Sequence, residues 1–163
     1  MPFDWTDDLA RVDWDELSAL YRVAPLGDKA PADLALVFGN SMFRSFAFDA
    51  GVLVGAGRGL GDGGDCAYLC DIAVLPAYQA RGVGKEITAR LLRLAAGHRK
   101  IILYAAPGKE GFYNRFGFRR MKTAMAIFPN PEASGRARLS GRLRANPTAL
   151  AAIRRPCTAG GSA

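Results

Sequence analysis

Histidine and cysteine are scarce in this chain, which has one histidine and three cysteines among 163 residues. His98 has no metal-binding partner nearby in the sequence, so we expect no metal site. Cys66 and Cys70 lie four residues apart in one apolar stretch, where a strand would hold them on the same face but too far apart for a relaxed disulfide. Cys157 makes the number odd, and there is no CxxC motif, so the sequence predicts free, buried thiols.

Long hydrophobic runs are also missing, and none approaches the roughly 20 apolar residues of a membrane span. Residues 1–16 are acidic, whereas a signal peptide begins with a basic segment and continues with an apolar one. We therefore expect a cytoplasmic protein without membrane contact. Half of the residues are hydrophobic and 10% are aromatic, which is enough to build the core of one domain at this length.

The net charge of +7 is unevenly distributed along the chain. Residues 129–163 contain six arginines and one acidic residue, which gives this segment a charge of +5 and leaves +2 for residues 1–128. We expect a folded domain over 1–128 and a basic, partly flexible C-terminal extension over 129–163, in which 148–155 would form a short helix. A nucleic-acid partner is expected only through this extension.

Two helices are predicted near the N-terminus. In residues 13–22, Asp13 suits the N-cap, and Glu16 stands three residues later, at the capping-box position. In residues 31–40, Pro31 suits the first helical position and a Gly-Asn pair suits the end.

Strand and helix patterns alternate after these two helices. A turn signal at 49–51 joins two apolar segments into a β-hairpin. A strand, a long helix and a second strand then predict a parallel pair with a right-handed crossover. Ile87, Leu91 and Leu94 recur at helical spacing and predict the buried face of that helix. The predicted elements are strands at 41–48, 52–60, 66–75 and 100–105, a helix at 83–96, a short helix at 109–116 and a final strand at 118–128.

Two glycine-rich segments are candidates for phosphate binding. Residues 59–64 satisfy the G-x-G-x-x-G pattern. A strand follows them instead of a helix, so the dinucleotide-binding mechanism lacks the helix N-terminus that it needs. We interpret this segment as a hairpin loop.

The second glycine-rich segment, residues 79–85, follows a buried strand and opens the longest helix. It is not a Walker A loop, because Gln79 and Glu86 stand where that loop has glycine and serine or threonine. Backbone N–H groups at a helix N-terminus nevertheless favour an anion, and glycines let a phosphate approach them. Since Arg81 and Lys85 add positive charge, we predict a pyrophosphate site; the alternative is a solvent-exposed turn without a ligand.

These segments resemble a known superfamily. The sequence DIAVLPAYQARGVGKEI, residues 71–87, is similar to the fourth strand and Q/R-x-x-G-x-G/A turn of the GNAT superfamily of N-acetyltransferases. The sequence GFYNRFGF, residues 111–118, resembles the aromatic-Tyr-x-x-x-Gly-Phe helix end of that superfamily. The order of predicted elements over 13–128 also matches. The resemblance implies an α/β (α+β) fold, in which helices flank a mixed central sheet and the parallel central strands splay apart at the cofactor site.

The resemblance also implies acetyl-CoA as the acetyl donor. In the family, backbone at the end of the fourth strand pairs with the pantetheine arm, and the Q-x-x-G-x-G turn holds the pyrophosphate. An asparagine that often contacts pantetheine after the fifth strand has no counterpart here, since residues 104–108 contain no side-chain amide. The implied cofactor-binding residues are Ile72, Ala73 and Val74 on the strand, Gln79, Ala80, Arg81, Gly82, Val83 and Gly84 in the turn, and Lys85 at the helix start.

Tyr113 and Asp71 are the candidate catalytic residues. Tyr113 matches the family's tyrosine near the thiolate, where a phenol would donate a proton to the departing sulfur; alternatively, it is a core aromatic between Phe112 and Phe116. Asp71 is the only carboxylate in the central strand, and burial would raise its pKa toward that of a general base. Alternatively, Asp71 accepts hydrogen bonds from neighbouring backbone, and water takes the proton of the amine. A backbone N–H near 72–74 would polarise the thioester carbonyl.

The implied reaction is acetyl transfer to a primary amine by direct attack, without an acyl-enzyme. The acceptor would be a small molecule or a peptide, and the acidic segment 1–16 would attract a cationic amine; alternatively, these acids form a solvated helix face. The competing hypothesis is a CoA-binding module without turnover, whose arginine-rich extension 129–163 binds nucleic acid or a protein. The sequence does not identify the acceptor or the role of the extension, and a homodimer is one of the possible oligomeric states.

Overall fold

A computed structural model describes residues 3–24 and 26–125 of the chain. The chain divides into two compact units, one that ends at Tyr104 and one that begins at Ala105. The elements, in chain order, are β1 (Asp4–Thr6), a 3-10 turn (Leu9–Arg11), α1 (Trp14–Val23), α2 (Pro31–Gly39), β2 (Phe43–Asp49), β3 (Val52–Gly61), β4 (Cys66–Val74), a second 3-10 turn (Pro76–Tyr78), α3 (Val83–Leu94), β5 (Lys100–Leu103) and α4 (Glu110–Asn114).

The strands form one five-stranded sheet in the order β1-β2-β3-β4-β5. Neighbouring strands are antiparallel except for β4 and β5, which run parallel. The hairpin turn has positive φ at both Ala50 (50°) and Gly51 (85°), as a two-residue hairpin loop requires. The mixed sheet with flanking helices, the hairpin and the parallel crossover through α3 are therefore confirmed.

The first turn of α1 shows how an acidic segment is used within the fold. The Asp13 carboxylate accepts hydrogen bonds from the backbone N–H groups of Asp15 (2.9 Å) and Glu16 (3.2 Å), as predicted for an N-cap. The Glu16 carboxylate does not return to Asp13 and instead accepts the backbone N–H of Leu53 in β3 at 2.8 Å. The reciprocal capping box is therefore wrong, because the tertiary structure offers Glu16 a different donor.

Helices α1 and α2 cover one face of the sheet. Tyr21 of α1, Phe38 of α2 and Phe46 of β2 are all fully buried. The ring centroids of Phe38 and Phe46 lie 5.2 Å apart, and Leu17 and Leu20 of α1 complete the contact. This apolar cluster is the main core of the unit that ends at Tyr104.

Helix α3 covers the opposite face, where β3 carries glycines. Successive residues of a strand point to opposite faces, so Ala56 joins the core under α1 while its neighbours Gly55 and Gly57 face α3. A Cβ atom on Gly57 would lie 2.7 Å from a side-chain carbon of Ile87. The close seating of α3 on the sheet therefore requires glycine at this position.

The buried face of α3 is shorter than its sequence pattern indicates. Ile87 and Leu91 are fully buried, as predicted, but Leu94 is half exposed. The prediction is wrong for Leu94 because the last turn of α3 forms one side of a surface groove, and Trp5 of β1 forms the other side.

Strand β1 has no counterpart among the predicted elements. Trp5 pairs with Ala47 of β2, and β1 has only three residues in an acidic segment without an alternating apolar pattern. The predicted final strand at 118–128 is wrong for residues 118–125, which are mostly exposed and form no strand. Neighbouring arginines and a lysine interrupt the apolar pattern there.

Some predictions concern residues outside the described ranges. These are the last part of the predicted final strand, residues 126–128, the basic extension over 129–163 with its short helix at 148–155, and the thiol of Cys157. Within the described residues, no helix has both the length and the apolar character that are needed to cross a bilayer.

Candidate functional site

The carboxyl end of β4 has a strand partner on one side only. The ladder between β4 and β5 ends at the pair Leu69–Leu103, whereas β4 continues to Val74 and remains paired with β3. Within the unit that ends at Tyr104, residues 72–74 are therefore paired on the β3 side alone. An extended chain can add to such an edge through backbone hydrogen bonds.

A β-bulge bends β4 just before this edge. Two residues of β4, Asp71 and Ile72, face one residue of β3, Gly57. Asp71 has a φ of 53°, in the left-handed region that residues other than glycine rarely adopt. The bulge thus changes the direction of the β4 backbone at the place where β4 and β5 cease to pair.

The turn between β4 and α3 contains two residues with left-handed backbone. Ala80 has a φ of 61° and Gly82, the N-cap of α3, has a φ of 87°. The side-chain amide of Gln79 donates to the carbonyl oxygen of Val74 at 3.3 Å, which connects the turn to the end of β4. Residues 79–82 are exposed, so the turn is open to a ligand.

The backbone N–H groups at the start of α3 form no close hydrogen bond within the described part of the chain. Those of residues 80–85 find no acceptor among the residues that the structure describes. Further along, the N–H of Glu86 donates to the carbonyl of Gly82 at 3.0 Å. Unpaired N–H groups at a helix N-terminus carry the positive end of the helix dipole and suit a phosphate.

The two basic side chains of the turn differ in their surroundings. The guanidinium carbon of Arg81 lies 4.6 Å from the ring centroid of Tyr78 and 5.3 Å from that of Phe3. A carboxylate oxygen of Asp49 lies 4.0 Å from the same guanidinium. Lys85 is exposed and forms no ion pair with any described residue. Lys85 is therefore better placed than Arg81 to meet an anion from solvent.

Asp71 is the centre of a partly buried ion cluster. Its Oδ1 lies 2.6 Å from Nζ of Lys29, and its Oδ2 lies 2.6 Å from Nε of Arg58. Burial by itself would raise the pKa of Asp71, but the hydrogen bonds and charges of Lys29 and Arg58 outweigh it and hold the pKa below its ordinary value. The expectation that burial raises this pKa toward that of a general base is therefore wrong.

The sequence patterns did not predict the hydrogen-bond and ion-pair partners of Asp71. Lys29 comes from the loop between α1 and α2, Arg58 comes from β3, and the hydroxyl of Tyr21 in α1 donates to the backbone carbonyl of Asp71 at 2.8 Å. The available signal was that Arg58 and Asp71 are isolated opposite charges in neighbouring strands. No pattern distinguished Lys29 or Tyr21.

Tyr113 lies in α4, in the unit that begins at Ala105. Its ring makes edge contacts with Phe112 and Phe118, at centroid distances of 5.0 and 6.0 Å. Burial raises the pKa of Tyr113, so the phenol keeps its proton at neutral pH. That protonation state is the one a proton donor requires.

The remaining candidates have structural partners. His98 accepts the backbone N–H of Gly63 on Nε2 at 3.0 Å, and residues 59–64 end β3 and begin its loop to β4, as predicted. Cys66 and Cys70 are free thiols but only half buried, contrary to the expectation of full burial, and burial raises the pKa of Cys70 to about 11. The described residues include no group of three or more His, Cys, Asp or Glu that could hold a metal ion.

The acidic side chains near the N-terminus are used mostly within the fold. Asp4 forms an ion pair with Arg11, Asp8 caps the first 3-10 turn, and Asp13 caps α1. This segment therefore presents fewer free carboxylates to an acceptor than its sequence indicates.

Comparison with known proteins gives a family match over residues 6–118, to the acetyltransferase (GNAT) family. An uncharacterized N-acetyltransferase of Prochlorococcus marinus is 37% identical over 68 residues, which are 40% of this chain and 38% of that protein. A chloroplastic GCN5-related N-acetyltransferase of Arabidopsis thaliana is 30% identical over 108 residues, 64% of this chain and 55% of that protein. The chain thus spans between 38% and 55% of the length of these relatives.

Solved structures share the fold. A probable acetyltransferase of Staphylococcus aureus aligns with a TM-score of 0.71 at 24% identity, over 78% of this chain and 98% of that one. The structure of AAC(6')-Iy in complex with the bisubstrate analog CoA-S-monomethyl-acetylneamine aligns with a TM-score of 0.59 at 22% identity, over 78% of this chain and 97% of that one. The family match extends from β1 to the end of α4 and beyond, and we conclude that the chain belongs to the acetyltransferase (GNAT) family.

Proposed function

We propose that this protein transfers an acetyl group from acetyl-CoA to a primary amine, on a small molecule or a peptide, by direct attack of the amine. Membership in the acetyltransferase (GNAT) family supports the reaction class. A structural neighbour crystallised with a bisubstrate analog that contains CoA supports the choice of donor.

One observation carries the proposal: the backbone N–H groups of residues 80–85, which have no hydrogen-bond acceptor among residues 3–24 and 26–125, lie in the turn that follows the open edge of β4. In CoA the diphosphate is joined directly to the pantetheine arm, so a turn and the strand edge next to it can bind the two parts of one molecule. We assign the diphosphate to the turn and the pantetheine arm to the edge. The residues proposed to hold the donor are Ile72, Ala73 and Val74 on β4, Gln79, Ala80, Arg81, Gly82, Val83 and Gly84 in the turn, and Lys85 in α3.

In acetyl-CoA the acetyl group is bonded to sulfur, and the CoA thiolate is a good leaving group. The protein therefore has to position the thioester and to stabilise the negative charge that develops on its carbonyl oxygen and on the departing sulfur. A backbone N–H of residues 72–74 donates to the carbonyl oxygen, where negative charge develops as the amine attacks. As the C–S bond breaks, Tyr113 donates its phenolic proton to the departing sulfur, and the proton that the newly acylated nitrogen loses returns the phenolate to its neutral form.

We do not propose Asp71 as the general base. Each of its carboxylate oxygens already accepts a hydrogen bond from a cation, Lys29 on one side and Arg58 on the other. A carboxylate with a lowered pKa is a weak proton acceptor. Water therefore takes the proton that the acceptor ammonium must lose before it attacks.

A thiol-release assay tests the proposed reaction. Purified full-length protein is given acetyl-CoA and a panel of amines and peptide N-termini, and free CoA thiol is measured against a sample without acceptor. We expect acceptor-dependent thiol release and an acetylated product of the expected mass. Tight CoA binding in calorimetry without thiol release for any acceptor would favour the non-catalytic CoA-binding module instead.

The role of Tyr113 is tested by Tyr113→Phe, which keeps the ring and its contacts and removes the hydroxyl. General acid assistance is worth about 10²–10⁴-fold, and CoA thiolate is a moderately good leaving group, so we expect kcat to fall about 10- to 100-fold. Acetyl-CoA affinity should change little. A variant with wild-type kcat across the pH range would make Tyr113 a packing residue.

We also propose that residues 1–128 form the acetyltransferase domain and that 129–163 are an extension not needed for the chemistry. Truncation after Phe128 should then leave kcat/KM within about threefold of the full chain, since the extension has few core-forming residues. A large loss of activity or stability would assign the extension to the catalytic unit. A cytoplasmic location remains a prediction, which cell fractionation tests.

A further inference from the structure

The ion cluster around Asp71 has more positive than negative charge. Lys29 and Arg58 share the single carboxylate of Asp71, each at 2.6 Å. A third cation, Arg44, donates to the backbone carbonyl of Ser41 at 3.0 Å, while Arg58 donates to the hydroxyl of the same serine at 3.2 Å. Arg44 thus joins the cluster only through Ser41, and among the described residues Lys29 and Arg58 carry one more charge than the Asp71 carboxylate that they share.

This excess charge lies next to the proposed reaction centre. Asp71 is the first residue of the β4 bulge and directly precedes residues 72–74, the edge assigned to the pantetheine arm. The cluster is held there by its backbone as well as its side chains, because Tyr21 donates to the Asp71 carbonyl at 2.8 Å. An acceptor that attacks a thioester at this edge would therefore lie close to these charges.

Lys29 is the member of the cluster that a ligand can reach. Its side chain is 29% exposed, compared with 14% for Arg58 and 14% for Asp71. Its ammonium has three donors, and only the one toward Asp71 has a partner among the described residues. The position of Lys29 is fixed beforehand, since Ser18 donates to its backbone carbonyl at 2.7 Å and its ammonium lies 5.1 Å from the ring centroid of Tyr21.

We propose that the acceptor carries an anionic group, a carboxylate or a phosphate, in addition to its amine, and that Lys29 binds this group with Arg58 behind it. The inference rests on the proposed acetyl transfer and narrows its acceptor. A fixed ammonium with free donors in a partly buried site binds an anion more strongly than a solvated lysine does.

The same charges help the attacking amine. A positive environment lowers the pKa of a nearby ammonium, because it disfavours a second positive charge. The amine therefore loses its proton to water more readily at this site. An acceptor with only an amine would be repelled, whereas an anionic group offsets the repulsion.

Matched pairs of acceptors test this inference. Phenylalanine with phenethylamine and 4-aminobutyrate with butylamine form the carboxylate arm, and phosphoethanolamine with ethanolamine forms the phosphate arm. We expect kcat/KM for the anionic member of at least one pair to exceed that of its partner by about tenfold or more, the effect of one hydrogen bond to a charged group. The arm with the larger ratio identifies carboxylate or phosphate.

Lys29→Gln should reduce the ratio of kcat/KM for the anionic acceptor to kcat/KM for its uncharged partner about tenfold, mainly through KM. Lys29→Arg keeps the charge and should retain most of this ratio. The matched control is Arg22→Gln, which removes an equal charge from an exposed ion pair with Asp28 in the same part of the chain. It should leave the ratio within about twofold, since exposed charges are screened.

The wild-type comparison needs no variant, so it decides the inference even if Lys29→Gln does not fold. Equal or faster turnover of the uncharged member in every pair would overturn the anionic acceptor and leave the proposed acetyl transfer standing. An equal effect of Arg22→Gln and Lys29→Gln would also overturn it. No thiol release with any amine would overturn the proposed function and this inference together.

Discussion

Two glycine-rich turns of this protein have opposite hydrogen-bonding arrangements. In the loop between β3 and β4, the carboxylate of Asp62 accepts the backbone N–H groups of Gly64, Asp65 and Cys66 at 2.9, 2.8 and 3.1 Å. In the turn between β4 and α3, the N–H groups of residues 80–85 have no acceptor among the described residues. The loop between β3 and β4 thus contains its own carboxylate acceptor, whereas the turn before α3 has N–H groups available to bind an anion from outside.

The comparison teaches that glycine spacing alone does not identify a phosphate site. Residues 59–64 satisfy the more familiar pattern, yet an aspartate within the loop uses up its donors. Residues 79–85 lack that pattern but open a helix and contain no carboxylate, so the donors remain available. What decides is whether the segment supplies an internal acceptor.

The largest expected effect comes from a matched pair of glycine substitutions. Gly82 and Gly63 have φ of 87° and 83°, and a Cβ would meet nothing within 4 Å at either position. Alanine at each site costs about 1–2 kcal/mol of backbone strain. Gly82→Ala should raise the Kd for CoA at least about tenfold in calorimetry, because it displaces donors of the binding turn, whereas Gly63→Ala should leave Kd unchanged. Equal Kd values for the two folded variants would remove the distinction between the turns.

Removal of the Asp62 carboxylate tests the hydrogen bonding of the loop between β3 and β4. Asp62→Ala leaves three backbone N–H groups without their acceptor, so Tm in calorimetry should fall by several degrees while CoA affinity stays at the wild-type value. The control is Asp65→Ala, which removes a carboxylate that forms an exposed ion pair with Lys100, and its Tm should change much less. A larger loss for the control would mean that Asp62 does not organise the loop.

Acid should weaken the fold through carboxylates whose pKa is lowered in the folded state, and Asp62 and Asp71 are two of them beside Asp4. Hydrogen bonds from the N–H groups of Gly64, Cys66 and Asp65 lower the pKa of Asp62, and Lys29 and Arg58 lower that of Asp71 against the effect of burial. A pKa that is lower in the folded state gives stability that is complete above the unfolded value of about 4 and is lost as the pH falls through the folded value. Tm should therefore decrease below about pH 4.

Variants separate the contributions of Asp62 and Asp71 to this loss of stability at low pH. Asp62→Ala and Asp71→Asn should each make Tm less dependent on pH between about pH 4 and pH 2, because each removes one carboxylate with a lowered pKa. A wild-type acid profile in both variants would assign the pH dependence to other groups.

The smallest expected effect concerns the basic side chains of the binding turn. Arg81 is stacked on Tyr78, while Lys85 is exposed and without an ion-pair partner among the described residues. Lys85→Gln should raise the Kd for CoA about three- to fivefold at low salt, and Arg81→Gln should raise it less than about twofold. The opposite order would mean that Arg81 leaves the Tyr78 ring when CoA binds.

The local patterns of the chain predicted most of the fold. Asp13 at the start of α1, Pro31 at the start of α2 and the 49–51 turn each act over a few residues, so their effects can be read from neighbouring positions. The strand, turn and helix around 79–85 were predicted for the same reason. These are the elements on which the family resemblance also depends.

Partners that are distant in the sequence could not be read in this way. Asp71 is separated by 42 residues from Lys29 and by 13 from Arg58, and nothing in the local pattern says that the three meet. The predicted general base became the centre of an ion cluster because two cations arrive from other elements. Glu16 likewise left its predicted capping box because the N–H of Leu53 lies within reach.

The sequence by itself determined α1, α2, α3, the hairpin, the parallel crossover and the segment that opens α3, but not β1 or the end of the strand pattern after residue 118. These depend on capping, turn and periodicity, which are short-range properties of the chain. Only the tertiary structure decided which polar groups are already paired, that is, the N–H groups that Asp62 uses and the cations that hold Asp71. Availability of a group for a ligand depends on every neighbour in space, and the packing of the sheet brings those neighbours together.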